Sequence, residues 1–234
     1  MARTKPALDP VRDPSLPRPN PDARALARLG EKVRARLAGD PSVYRVPVDR
    51  AEIFAVADFL DQRECAHLMA LIDQVAQPSR LTFEEEGYRT SYSGDVDPAD
   101  PVVRAVERRL YDLTGIELAW GETVQGPRYY AGQEFKEHCD WFDTAQPYWR
   151  DEFARGGQRS WTAMVYLNTV EEGGVTSFTR LGVSIPPQAG ALLLWNNNLP
   201  DGHVNWDTMH AALPVTSGAK YIITKWFRAR RLGT

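Results

Sequence analysis

Apolar residues at helical spacing open the legible part of the chain. Leu26, Leu29, Val33 and Leu37 recur between arginines and lysines, with Asp22 placed to cap the start and Gly39 to end the run, so a docking helix is predicted over residues 22–39. β-type residues follow at Val43–Val48 and Ile53–Val56. Asp61-x-x-Glu64 is a capping-box pattern that starts a helix reaching about Val75, with Cys65, Leu68, Met69 and Ile72 as its buried stripe. A further helix is predicted over Pro101–Thr114, proline in its first turn and Val102, Val103, Val106, Leu110 and Leu113 on one face.

From Glu122 the period shortens. Segments rich in β-formers, Thr123–Tyr130, Trp161–Asn168, Thr176–Phe178, Ala191–Trp195 and Lys220–Arg228, are separated by Gly156-Gly157, Gly173-Gly174, Pro186-Pro187, Asp201-Gly202 and Ser217-Gly218. Helices followed by a run of strands predict a mainly β (α+β) fold, a small sandwich or jelly roll with helices packed against it.

Length and charge narrow this picture. The 234 residues suffice for one well-buried core, which gives a single catalytic domain over residues 40–234 preceded by the docking helix and a tail. Six prolines within residues 1–21 deny that stretch helix interiors and sheet ladders and predict a flexible tail. Residues 1–40 carry nine Lys/Arg against five Asp/Glu, so the basic charge sits at this end of a chain whose net charge is -3. Nothing in that balance favours nucleic acid as a partner. With two cysteines, Cys65 and Cys139, neither a disulfide framework nor a cysteine-rich zinc site can be built. The start lacks the apolar core of a signal peptide and no run is long enough to span a bilayer, so no membrane partner and a cytoplasmic location are expected.

The main chemical signal is His138-Cys139-Asp140 with a distant histidine. In an extended strand, residues i and i+2 project to one face, so His138 and Asp140 can reach one ion while Cys139 points away. Two neutral imidazoles and a carboxylate on one face of an octahedron suit Fe(II) and leave positions for a chelating cosubstrate and O2. The helical His-Glu-x-x-His of zinc hydrolases is absent. Many strands carry a His-x-Asp pair only for solvation or hydrogen bonding. His67 falls on the predicted solvent face of a helix, and His203 competes with His210 as the third ligand.

The flanking residues carry a resemblance. Asp58-Phe59-Leu60 with Glu64-Cys65-x-x-Leu68, Arg89-Thr90-Ser91, Asp100-Pro101-Val102-Val103, Arg128-Tyr129-Tyr130-Ala131-Gly132-Gln133, Gly157-Gln158-Arg159, Tyr166-Leu167-Asn168, Glu171-Glu172-Gly173-Gly174, His210-Ala211, Pro214-Val215, Gly218-x-Lys220 and Lys225-Trp226-Phe227-Arg228 stand in one order. Together they resemble the prolyl 4-hydroxylase family of Fe(II)/2-oxoglutarate-dependent dioxygenases, from about Phe59 to Arg228. The resemblance implies a double-stranded β-helix (jelly-roll, cupin-like) core. It implies Fe(II), 2-oxoglutarate and O2, and leaves room for ascorbate as an accessory. It selects His210 over His203, because His210 stands ten residues before the basic residue that the family uses to hold 2-oxoglutarate.

That residue is Lys220. In a strand starting there, Ile222, Thr224 and Trp226 share its face, bringing a cation, a hydroxyl and an aromatic wall together for a remote carboxylate. By similarity, the hydroxyls of Tyr129 and Tyr166 add hydrogen bonds in the same pocket. The resemblance implies a peptidyl proline as substrate, with Arg159 at a position linked to peptide binding, and Arg89 and Arg228 as further substrate candidates. Two departures stand out: Phe135 replaces a common tyrosine, and Arg228 takes a position near the mouth that is often His. The segment Tyr92–Asp97, read as a loop, is more acidic than an apolar peptide groove suggests, which keeps a basic or non-peptide small-molecule substrate open. From another class, a jelly roll that binds metal without turnover has no need of both a complete ligand set and Lys220. A nucleic-acid demethylase is disfavoured by the acidic remainder of the chain, and a halogenase by Asp140, which occupies the place chloride would need.

Overall fold

The structure, a computed structural model, describes residues 20–79 and 87–233. Most of the proline-rich tail expected over residues 1–21 lies outside them. Four α-helices occur among the described residues: α1 (Ala23–Ala38), α2 (Gln62–Val75), α3 (Pro101–Thr114) and α4 (Trp149–Arg155). The strands, in chain order, are β1 (Tyr44–Arg45), β2 (Ile53–Val56), β3 (Gln77–Pro78), β4 (Tyr92–Asp95), β5 (Gln125–Tyr130), β6 (Phe135–His138), β7 (Arg159–Tyr166), β8 (Glu172–Gly173), β9 (Thr176–Phe178), β10 (Val183–Ile185), β11 (Leu192–Asn196), β12 (His210–Ala212), β13 (Val215–Ser217) and β14 (Ala219–Arg228).

An eight-stranded sheet runs β1-β2-β11-β7-β14-β5-β4-β3, and a four-stranded sheet runs β10-β9-β12-β6, both antiparallel. The period of two along the central strands decides what each face buries. Trp161, Ala163 and Val165 of β7, Leu192 and Leu194 of β11, and Ile223 and Phe227 of β14 belong to a core shared with Leu29, Val33 and Leu37 of α1, Leu68 and Ile72 of α2, and Val103, Val106 and Leu110 of α3. The alternate residues, Met164 and Tyr166, Leu193 and Trp195, and Ile222, form a second core with Tyr129, Phe178 and Val215 between the sheets. Helices cover one face and the smaller sheet covers the other: a jelly roll with the site in its interior.

Helix ends follow from sequence. Asp61 accepts from Glu64 N at 2.8 Å while Glu64 accepts from Asp61 N at 3.0 Å, the reciprocal capping box that opens α2. Asp100 accepts from Val102 and Val103 N ahead of Pro101, and Gly115 at φ 68° ends α3 in the left-handed region.

Three expectations need correction, and one helix has no counterpart among them. Asp22 does not cap α1: its carboxylate accepts from Gln158 N at 2.9 Å and faces Arg230 at 3.6 Å, so it ties the helix start to the segment before β7. Within Val43–Val48 only Tyr44–Arg45 forms a strand, followed by one further backbone bond from Val46 N to the Ile53 carbonyl at 2.9 Å. Tyr92–Asp95 is a strand, not a loop, held between β3 and β5, with Val96 buried behind it. The short α4 has no apolar periodicity to announce it and buries no residue fully. No helix among the described residues is long and apolar enough to cross a membrane.

Candidate active site

β6 and β12 are antiparallel neighbours, and their register sets His138 directly opposite His210. β6 ends at His138, so Asp140 lies just past the strand rather than within it, and the chain bend there still returns its carboxylate to the imidazoles. His138 Nδ1 pairs with the Lys136 carbonyl at 2.8 Å, and His210 Nδ1 with the Thr208 carbonyl at 2.9 Å. A carbonyl can only accept, so each Nδ1 carries the proton and each Nε2 keeps a free lone pair. The candidate donor atoms of His138, Asp140 and His210 lie within 4.8 Å of one another, with His210 Nε2 4.0 Å from Asp140 Oδ2.

Electrostatics prepare the same set. Burial and the neighbouring His210 push the His138 pKa down to about 3, against the pull of Asp140, so its ring is neutral. Burial opposes charge on Asp140, yet the two imidazoles and Arg159 hold its pKa below the ordinary carboxylate range. Two imidazole nitrogens and one carboxylate oxygen fit a first-row divalent ion such as Fe(II). Phe135 stacks on His138 with centroids 3.6 Å apart and planes at 15°, and Trp195 meets His210 edge-on at 5.0 Å. Both imidazoles are thereby held in orientation.

From the metal site a cavity runs inward to Lys220, which is 1% exposed. Lys220 Nζ donates to Thr176 Oγ1 at 3.3 Å and faces the rings of Tyr129 and Tyr166 at 5.6 and 5.4 Å. No carboxylate pairs with it among the described residues, and burial alone lowers its pKa to about 7. Ile222, Thr224 and Trp226 line this cavity with Lys220, as the period of two requires. Outward, the site opens on a groove walled by Tyr88, Trp141, Phe142, Tyr148 and Trp226, with Arg89 and Arg159 along it.

Residues 124–228 match the family model described as the 2OG-Fe(II) oxygenase superfamily. A probable prolyl 4-hydroxylase 3 of Arabidopsis thaliana is 31% identical over 201 residues, covering 74% of this chain and 68% of that protein. The chain belongs to the prolyl 4-hydroxylase-like 2OG-Fe(II) oxygenases. Among solved structures, a viral collagen prolyl hydroxylase from Paramecium bursaria Chlorella virus-1 in complex with 2OG is 28% identical with a TM-score of 0.59, covering 75% of this chain and 95% of that one. The rat prolyl 4-hydroxylase subunit alpha-1 is 34% identical over 195 residues, 78% of this chain; those residues are 35% of its length, so the chain spans about a third of that relative.

The structure brings His138, Asp140, His210, Tyr129, Lys220, Thr224 and Trp226 to one cavity. His203 stands apart, beside Asp201 at 3.2 Å. Tyr166 needs correction. It does not line the cavity; its hydroxyl donates to Thr176 Oγ1 at 2.8 Å, so it reaches the pocket through that threonine. The Tyr129 hydroxyl bonds to Ser91 and Arg89, and burial keeps it protonated.

The three arginines differ. Arg159 donates twice to Glu122, at 2.8 and 2.7 Å, and its guanidinium lies over Trp226 at 4.1 Å on the groove wall. Arg89 lies over the Phe135 ring at 4.8 Å and lines both cavity and groove. Arg228 lies behind the groove wall and not on it: its guanidinium is 4.5 Å from the Phe142 ring, and it is 1% exposed and bonded to Glu122 at 3.1 Å and Glu152 at 2.5 Å, which turns it away from a substrate in the groove. Thr176, Glu122 and the stacking role of Phe135 were not anticipated. Thr176 carries no local signal, since β9 reads Thr-Ser-Phe and only the packing of the strand sets Thr176 against the cavity.

Proposed function

We propose that this chain is an Fe(II)- and 2-oxoglutarate-dependent hydroxylase acting on a peptidyl proline or related residue, with release of succinate and CO2. The observation that carries the reading is one cavity with His138, Asp140 and His210 at its outer end and, at its inner end, a lysine with no carboxylate partner among the described residues. When bound, iron and 2-oxoglutarate supply the O2-dependent oxidation of a C–H bond.

The chain's residues do the rest. His138, Asp140 and His210 would hold the metal, between the groove and the cavity. Lys220 takes the remote carboxylate of 2-oxoglutarate, where a buried charge-assisted bond is worth about 1.5–3 kcal/mol. Thr176, bonded to both Tyr166 and Lys220, places its hydroxyl on the cavity wall beside the lysine. Thr224 offers a second hydroxyl and Trp226 closes the wall. The aromatic groove accepts an extended peptide, and the Glu122–Arg159 pair fixes the guanidinium against Trp226 beside the metal site. The buried inner cavity keeps bulk water from the reacting atoms.

Cys65 and Cys139, the two cysteines of the sequence, form no disulfide with each other, which supports a reducing, cytoplasmic setting. The test is direct: purified protein with Fe(II), 2-oxoglutarate and a proline-containing peptide should release succinate and add one oxygen to a prolyl residue. Succinate release from folded, metal-loaded protein that no peptide stimulates would move the substrate to another class.

A further inference from the structure

The carboxylate of Asp140 is not held by its backbone alone. Thr162 Oγ1 bonds Asp140 Oδ2 at 2.7 Å, and Asn197 Nδ2 bonds Thr162 Oγ1 at 2.9 Å. Thr162 and Asn197 are 0% exposed. The chemistry fixes the direction of this relay. An ionised carboxylate only accepts, so the Thr162 hydroxyl must donate to it; the threonine oxygen then accepts, which turns the NH2 of Asn197 toward it. Asn197 is anchored in turn by its backbone, whose N–H donates to the Ser160 carbonyl at 2.8 Å and whose carbonyl accepts from Asn205 N at 2.9 Å.

We propose that Thr162 and Asn197 are positioning residues that lock the rotation of the Asp140 carboxylate toward His138 and His210, and so set the affinity of the metal site. Resting on the iron reading above, the proposal adds residues that touch neither metal nor substrate. The imidazoles are already fixed by the Lys136 and Thr208 carbonyls, so Asp140, beyond the end of β6, is the ligand with rotational freedom left to remove. β7 and the segment after β11 provide the constraint: Thr162 lies opposite Trp195 in the ladder, two residues before Asn197. Along β7 the same face carries Ser160, Met164 and Tyr166; Ser160 Oγ is taken up by the Phe227 carbonyl at 3.0 Å, so Thr162 supplies the hydroxyl that reaches Asp140.

The experiment is a Mn(II) titration of the apoprotein, followed by electron paramagnetic resonance, with Co(II) absorption as a second readout of ligand geometry. Thr162→Val, which keeps shape and removes the hydroxyl, should weaken Mn(II) binding about ten-fold or more and alter the Co(II) spectrum. Thr162→Ser should restore both. Asn197→Leu should weaken binding in the same direction, and it carries the test if Thr162→Val does not fold by circular dichroism. A folded Thr162→Val or Asn197→Leu protein that binds Mn(II) as tightly as wild type, with an unchanged Co(II) spectrum, overturns the proposal. Wild-type protein that binds neither ion contradicts the metal site itself, a result distinct from failure of the relay.

Discussion

His138 and His210 face each other across the β6–β12 ladder, ring centroids 4.2 Å apart, although a large part of the chain separates them in sequence. Register therefore makes the metal site, and every ligand removed should be felt in metal affinity before stability. Asp140→Ala and His210→Ala should fold, because each deletes a group whose burial is costly without a metal, and each should bind Mn(II) at least about a hundred-fold more weakly. Calorimetric titration checks this. A variant that keeps wild-type affinity would remove its residue from the ligand set.

Lys220 gives a stability prediction of opposite sign to its function. Burial lowers its pKa from 10.5 to about 7, so between those limits the unfolded chain holds a proton that the folded apoprotein releases. Stability of the apoprotein should then rise with pH across that window. Lys220→Met should remove the slope and melt higher than wild type at neutral pH, while 2-oxoglutarate affinity falls about a hundred-fold with Mn(II) affinity unchanged. Thermal melts across the window, with and without 2-oxoglutarate, read both effects. A Lys220→Met protein with wild-type cosubstrate affinity would contradict the pocket assignment.

Thr176 should behave as part of that pocket. Thr176→Val leaves the Tyr166 hydroxyl and Lys220 Nζ without their shared acceptor and should raise the 2-oxoglutarate KM about ten-fold, with peptide KM unmoved. Thr176→Ser should recover it. An effect on peptide KM instead would place this threonine on the groove side.

Arg228 should matter to folding and not to substrate. Arg228→Met removes a buried guanidinium from Glu122 and Glu152, which keep Arg159 and Arg155 as partners, so it should lose about 1.5–3 kcal/mol in denaturant unfolding. The peptide KM of the folded fraction should stay at the wild-type value. Intact stability with a raised peptide KM would restore the substrate role that its place in sequence suggested.

The contrast among these residues shows what sequence carries. The α2 and α3 boundaries were legible because Asp61, Glu64, Asp100 and Gly115 act within one turn of their own backbone. The face shared by Lys220, Ile222, Thr224 and Trp226 was legible because a period of two needs no partner strand. His138 and Asp140 were legible as a pair, while the choice of His210 needed the family resemblance, since only register distinguishes it physically from His203. The misreadings were long-range. Asp22 resembles a cap but bonds Gln158, and Arg228 resembles a mouth residue until Glu152 arrives on α4, a helix with no periodic signal. Thr162, Asn197 and Thr176 gain meaning only when separate strands lie side by side.

The most direct test is an anaerobic optical titration of Fe(II)-loaded protein with 2-oxoglutarate. Wild type should develop a visible charge-transfer band that saturates, Asp140→Ala should show none, and Lys220→Ala should need far more 2-oxoglutarate to reach the same band. Folded, iron-loaded wild-type protein that gives no band at any 2-oxoglutarate concentration would contradict the account.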